Sequence, residues 1–355
     1  MSAGSKTFKD YQSDRDEIVD LQKKFNDPEK YRVGEELRQA VNVALTLGQP
    51  LLNTGAPGTG KTQLAKRVAF ELGLPQDLFP LVFNTKSIST ARDLFYQYDA
   101  LRHFHDAQIQ KAKNDSNSGR SELPIESYIT YEALGQAILL TCDPQDKQRQ
   151  RVNDYLPPDL ASLPALRPVV LIDEIDKAPR DLPNDVLNEI ADMSFTVKEI
   201  VGNDNKPGLT FNSNPVNWPI VIITSNSERD LPEAFLRRCV FFHIEPPNQE
   251  TLASIVRDRL QLPEMSSTTL NAFVQLFIKI RDDLGPSLKK APATAELLFW
   301  MRILEREQLD LGQAKRDQLR QTLYTLVKSR EDLTTMRTEM DRLIKEVLKG
   351  TGEAA

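Results

Sequence analysis

Lys61 and Thr62 close the run "GAPGTGKT" at residues 55–62, which has the spacing G-x-x-x-x-G-K-[ST] of a phosphate-cradling loop. Glycine allows a backbone that turns successive N–H groups toward one point, and the helix that follows adds the positive end of its dipole. Lys61 brings a charge for β- and γ-phosphates and Thr62 a hydroxyl for Mg²⁺. The candidate phosphate contacts are Gly55, Ala56, Pro57, Gly58, Thr59, Gly60, Lys61, Thr62 and Gln63. A glycine-rich turn ahead of a helix would be the bland alternative. The strand–loop–helix order is what the phosphate chemistry demands.

"VVLIDEIDKA" (169–178) is an apolar run that ends in acids. Asp173 stands where a carboxylate can hold Mg²⁺, directly or through water. Glu174 can polarise an attacking water. Neighbouring side chains on a strand diverge, so the two should not share one task. Asp176 and Lys177 read as structural or surface groups. Asn226 ends "IVIITSN" at a strand's C-terminal edge, where open α/β sheets bind ligands, and its amide can orient a water. In "LPEAFLRRCVFF", Arg237 and Arg238 precede another strand, and one of them can act as an arginine finger toward a neighbouring subunit. Surface or intrachain pairing is the competing reading. His103 and His105 lack a third ligand and make a weak case for a metal. Tyr96, Tyr98 and Phe104 are either core or displayed.

These residues need a scaffold. Strands are expected at Pro50–Asn53, 78–84, 168–176, 219–226 and 240–247. Their cores are continuously apolar, as in a parallel α/β sheet covered on both faces. Helices are expected near 35–47 and, with Ile18, Leu21 and Phe25 on one face, ahead of it. The polar stretch 105–130 reads as a flexible insertion. Phe195 and Val197, then Leu209 and Phe211, alternate around "GNDNKPG" and predict a β-hairpin. From about 250 the pattern turns helical, ending in Met336, Met340, Leu343 and Val347 on one face. No internal repeat is visible.

The 355 residues allow two or three domains. A net charge of -6 gives no overall basic field to recruit nucleic acid or anionic lipid. Two cysteines, Cys142 and Cys239, fit a reducing cytosol better than a disulfide framework. No run approaches the roughly 18 apolar residues of a membrane span, and the polar N-terminus has no signal core. A soluble, cytoplasmic protein is the expectation.

Over residues 31–345 the chain resembles the AAA+ ATPases, and in particular their MoxR-like branch. "GAPGTGKT" is similar to Walker A, "VVLIDEID" to Walker B, "ITSN" to the sensor-1 strand and "PEAFLRRC" to the arginine-finger segment. "YRVGEEL" (31–37) resembles the segment that runs past the adenine, which adds Val33 to the cofactor contacts. The resemblance implies ATP and Mg²⁺ as cofactors and hydrolysis as the activity. It implies an α/β fold, a five-stranded parallel P-loop sheet of order 5-1-4-3-2 with a C-terminal all-helical lid. The implied division is an extension at 1–30, the α/β domain at 31–247, the lid at 248–348 and a disordered tail at 349–355. Insertions at about 85–130 and 195–211 would face the pore of a hexameric ring. Lys61, Thr62, Asp173, Glu174, Asn226 and Arg238 inherit the family's roles, with Arg238 preferred to Arg237 because it directly precedes the fifth strand. The family's sensor-2 arginine falls at Ala295, and Lys289, Lys290 or Arg302 would have to replace it.

The leading function implied is a ring-forming chaperone that remodels a partner, often a von Willebrand factor A domain protein. A nucleic-acid motor with Lys206 in its pore and a nucleotide-gated scaffold of a signalling or defence assembly are the alternatives. A small-molecule kinase fits least, since no acceptor-binding domain is evident.

Overall fold

The apolar runs become strands because each carries β-branched or aromatic residues between Gly, Pro and polar turn signals. A computed structural model of the chain describes residues 26–114, 123–201, 207–226, 229–260 and 262–350. The expected helix with Ile18, Leu21 and Phe25, the hairpin tip with Lys206 and the last five residues lie outside the described residues. In chain order the strands are β1 (Leu51–Gly55), β2 (Leu81–Asn84), β3 (Tyr96–Tyr98), β4 (Ile129–Tyr131), β5 (Val169–Asp173), β6 (Ser194–Val201), β7 (Pro207–Asn212), β8 (Ile220–Ser225) and β9 (Val240–Ile244).

Five of them form one sheet in the order β2-β5-β8-β1-β9, with every pair parallel. Counting only these five along the chain, the order is 5-1-4-3-2. Leu51 pairs with Ile222 on one side and Val240 on the other, and Leu171 also pairs with Ile222. The central strands β1 and β8 are buried at every position. The edges depart from the expectation of unbroken burial. β2 alternates buried and exposed positions, and Phe241 of β9 is 59% exposed. An edge strand has only one neighbour, so its outer positions are not covered in this chain. The second strand also starts later than expected, at Leu81, because Pro80 brings no N–H to a ladder.

Helices α1 (Glu35–Leu47) and α2 (Lys61–Glu71) flank β1 in the chain. The stretch 105–130 is regular in its described parts, and residues 115–122, at the centre of the expected flexible insertion, lie outside the described residues. It holds most of helix α3 (Ala100–Asn114), a short turn at Ile125–Tyr128 and the start of β4. β3 and β4 pair antiparallel, and α4 (Ala133–Leu140) follows. The expected hairpin is present as β6–β7, with Phe195 opposite Phe211 and Val197 opposite Leu209. It does not stand alone. The Phe195 ring stacks on Phe95 at 5.5 Å and on Phe211 at 5.2 Å, and Tyr131 meets both Phe195 and Phe211 edge-on. Tyr96 Oη donates to Glu199 Oε2 at 2.9 Å, and Arg92 lies 3.6 Å from the same carboxylate. The two insertions therefore share one aromatic core. Each such ring pair adds roughly 0.5–1.5 kcal/mol beyond its buried area.

Contacts divide the chain into two units. One consists of Val33–Gly55 and Lys61–Ile244, which includes all nine strands. The other consists of Ala56–Gly60 with the described residues up to Arg32 and from Glu245 onward. In the second unit α5 (Gln249–Leu260), α6 (Ser267–Lys279), α7 (Thr294–Arg306) and α8 (Arg330–Gly350) surround an apolar core. Trp300 is fully buried there, its indole N–H bonded to Thr322 Oγ1 at 2.7 Å, and Met336, Met340, Leu343 and Val347 line α8's inner face. The helix runs to Gly350, two residues into the expected tail. Among the described residues no helix is long and apolar enough to cross a membrane.

Candidate functional site

Parallel strands place all their C-terminal ends on one edge, and the sequence puts its polar residues there. Asp173 ends β5 and Thr224 lies near the end of β8, with Glu174 and Asn226 just past the two strands. Lys61 and Thr62 open α2 directly after the loop that leaves β1.

Lys61 is buried, and its ammonium donates to Gly55 O at 2.7 Å. Burial lowers its pKa, while the carboxylates of Asp176, Asp173 and Glu174 oppose that shift. Thr62 Oγ1 lies 3.2 Å from Asp173 Oδ1. These two groups would hold a divalent cation through one hydroxyl and one carboxylate. Thr224 fixes both acids. Its hydroxyl donates to Asp173 Oδ1 at 2.5 Å and accepts from the Glu174 N–H at 2.9 Å. Glu174 has left-handed backbone angles (φ 55, ψ 52), which turn its side chain away from that of Asp173. Asn226 Nδ2 then donates to Glu174 Oε1 at 3.2 Å, while the Asn226 N–H bonds the buried Asp176 at 3.3 Å. The structure thus brings Lys61, Thr62, Asp173, Glu174 and Asn226 together in one unit. Gln63 is half-buried beside them in the chain.

Arg237 and Arg238 stand elsewhere. Both follow α-helical residues Glu233–Leu236, and Arg237 forms an ion pair with Glu233. Among the described residues Arg238 makes no side-chain hydrogen bond or ion pair. It lines a cavity of about 550 Å³ with Leu47, Pro50, Arg167, Trp218 and Cys239. Pro50, Arg167, Trp218 and Cys239 all sit just before strands β1, β5, β8 and β9, so this cavity marks the N-terminal edge of the sheet. A strand of five residues at about 3.3 Å each separates the two edges by roughly 16 Å.

The loop tip and its surroundings in the other unit add residues that the sequence did not single out. Gly58 has φ +76, and a Cβ there would come within 2.6 Å of Ala293 Cβ. Gly60 has φ +92, and a Cβ would meet the Tyr31 ring at 2.9 Å. Both positions therefore require glycine for conformation and for space. Tyr31, in the 31–37 segment, touches the loop at Gly60, and Val33 is half-buried. Desolvation of the Tyr31 phenol pushes its pKa up to about 12, against the pull of Arg259. Ala293 and Ala295 begin α7 beside Gly58, in the stretch that the resemblance aligns with the sensor-2 arginine. Lys289 pairs with Glu331 at 3.4 Å and Arg302 with Glu305 at 2.6 Å, while Lys290 is exposed. His103 bonds the Tyr98 hydroxyl and stacks on Tyr128 at 4.6 Å, a packing role.

Residues 51–247, more than half of the chain, match the family described as the ATPase family associated with various cellular activities (AAA). The chain belongs to the AAA family. Among solved structures, domain III of the replication initiation protein DnaA from Thermotoga maritima aligns with TM-score 0.39 and 15% identity, over 85% of this chain and 95% of that one. Hsp104 in a closed state with ATPγS and FITC casein aligns with TM-score 0.38 and 18% identity, over 70% of this chain and 40% of the Hsp104 chain. No curated protein matches the chain. For an AAA protein the fit of Lys61, Thr62 and Asp173 to a magnesium nucleotide is chemical as well as topological: one ammonium, one hydroxyl and one carboxylate, each set by a hydrogen bond of its own.

Proposed function

We propose that this chain hydrolyses ATP as one subunit of a cytoplasmic ring, hexameric by its MoxR-like resemblance, and uses the cycle to remodel a partner protein. The observation that carries the reading is the separation of its parts. The acids and Lys61 lie at one edge of the sheet and Arg238 at the other. Its guanidinium starts from the far edge of a sheet roughly 16 Å deep, a position that suits the phosphates of a second copy better than those of the same chain.

Lys61 binds the β- and γ-phosphates, and Thr62 and Asp173 hold the metal. Bound Mg²⁺ supplies charge to the phosphate oxygens. Asn226 and Glu174 fix a water, and Glu174 takes its proton as the water oxygen bonds to the γ-phosphorus and the bond to ADP breaks. Arg238 of the next copy neutralises the charge that gathers on the transferred group. Leu101 and Phe104, one turn apart on α3, are 84% and 64% exposed, apolar surface that suits a client on the inserted body. The MoxR-like resemblance points to a client with a von Willebrand factor A domain.

Mixing variants tests the trans arrangement. Glu174→Gln and Arg238→Ala chains should each lose more than about 90% of turnover alone, and mixed rings should recover a fraction of it, because some seams then pair an intact acid with an intact arginine. No recovery over a range of ratios, with rings still formed, removes the reading. Ala293 and Ala295 against Gly58 favour a second reading, a nucleotide-gated scaffold with little turnover. Turnover that stays below one ATP per hour with every candidate partner supports that alternative.

A further inference from the structure

The cavity at the N-terminal edge of the sheet carries charge of one sign. Its volume, about 550 Å³, is that of a small-molecule site. Arg167 and Arg238 both line it, and no acidic residue does. Among the described residues neither guanidinium lies within ion-pair distance of a carboxylate. Arg167 is half-buried, and its bonds go to backbone carbonyls: Nε donates to Trp218 O at 2.9 Å and Nη2 to Leu45 O at 3.2 Å. Burial alone shifts its pKa, downward, as expected of a cation that has lost water and gained no counter-ion. Leu45 belongs to the last turn of α1, whose C-terminus carries roughly half a negative charge. Two guanidinia exceed that, so the cavity keeps a positive excess.

The remaining wall is apolar and fixed. Trp218 is half-buried; its indole N–H donates to Gly48 O at 3.2 Å, and its carbonyl accepts from Arg167. Phe235 is buried at the same cavity, and Leu47 is 60% exposed there. Such a wall takes a flat apolar body, and the two arginines take an anionic group attached to it. We propose that this cavity binds an amphipathic anion, a carboxylate or phosphate ester on a flat apolar body, with its charge held by Arg167 and Arg238 and its body by Trp218. The site needs no part of the ATPase reading. Its consequence for turnover rests on that reading: a ligand that engages Arg238 withdraws it from the neighbouring copy's phosphates, so occupancy slows hydrolysis.

Calorimetric titration of the full chain with 2-naphthoate, 2-naphthyl phosphate and 2-naphthylmethanol tests the site. Either anion should bind once per chain, at least about tenfold tighter than the alcohol, since a charge-assisted hydrogen bond is lost with the charge. The tighter anion identifies the headgroup. Excess ADP with Mg²⁺ should leave the affinity unchanged, because the phosphate loop leaves the other end of β1. Ala191 is exposed and lines the cavity, so Ala191→Phe fills it without disturbing the core and should abolish binding. Arg167→Met should weaken both anions about tenfold and leave the alcohol unchanged, with Arg167→Lys restoring part of the loss. Equal affinity for anion and alcohol, competition by ADP, full affinity in Ala191→Phe, or no binding at millimolar concentration overturns the proposal. If the anions bind as expected and parental turnover is unchanged at saturation, the site stands and the role given to Arg238 in trans falls.

Discussion

At the residue scale, burial sets the chemistry of both cysteines. Cys239 lines the cavity beside Arg238, and burial pushes its thiol up to about 12; Cys142 is also shifted upward by burial. Thiolate is the reactive form, so at pH 8 the folded protein should react with a disulfide reagent on the order of a hundredfold more slowly than the unfolded chain. A fast native phase in a thiol titration would contradict this. The sign for stability follows from the same shift. The contribution of Cys239 is intact below the ordinary thiol value of 9.0 and is lost as pH rises through about 12. Glu174 shows the limits of a strand-based argument. Alternation predicts that its side chain diverges from Asp173, and it does, but through a left-handed residue that ends the strand rather than through the pleat.

At the element scale, the informative feature is the joining of the two insertions. Phe95 and Tyr131 come from one, Phe195 and Phe211 from the other, and they form one cluster with the Tyr96–Glu199 bond at its side. Gly135 is the tightest point of that body. A Cβ there would stand 2.0 Å from the carbonyl oxygen of Phe95, which is backbone and cannot rotate aside. Gly135→Ala should destabilise the protein by about 2–3 kcal/mol, read as a lower urea midpoint, while Gly34→Ala, which meets nothing within 4 Å, should cost far less. Equal midpoints for the two would show that α4 shifts freely and that the insertion is not one packed body.

At the scale of the whole molecule, the proposed function depends on a second copy of the chain to complete the site. Arg238 is exposed at the N-terminal edge of the sheet and makes no ion pair among the described residues, whereas Arg237 is paired with Glu233. The two adjacent arginines thus have different surroundings, and the one that directly precedes the fifth strand is the one outside the Glu233 pair. Glu174→Gln should bind ATP with parental affinity, hydrolyse at least about a hundredfold more slowly and accumulate as a ring in sedimentation with ATP. A variant that turns over like the parent would show that another group activates the water.

The sequence alone determined the parallel sheet, its strand positions to within a few residues, the phosphate loop and the acids. Each of these is local: an apolar run, a glycine spacing or a strand ending in carboxylates follows from neighbours in the chain. It also placed the hairpin, through the alternation of Phe195, Val197, Leu209 and Phe211. Tertiary structure decided the rest. Strand β4, at the end of the 105–130 stretch, packs through Tyr131 on Phe195 and Phe211, partners more than sixty residues away, which no local pattern shows. Tyr31 on Gly60, Ala293 on Gly58 and Lys177 on Glu174 are contacts of side-chain direction, and direction depends on backbone angles that composition does not encode. That is why Lys177 reads as a surface lysine in sequence and as an ion-pair partner of Glu174 in the fold.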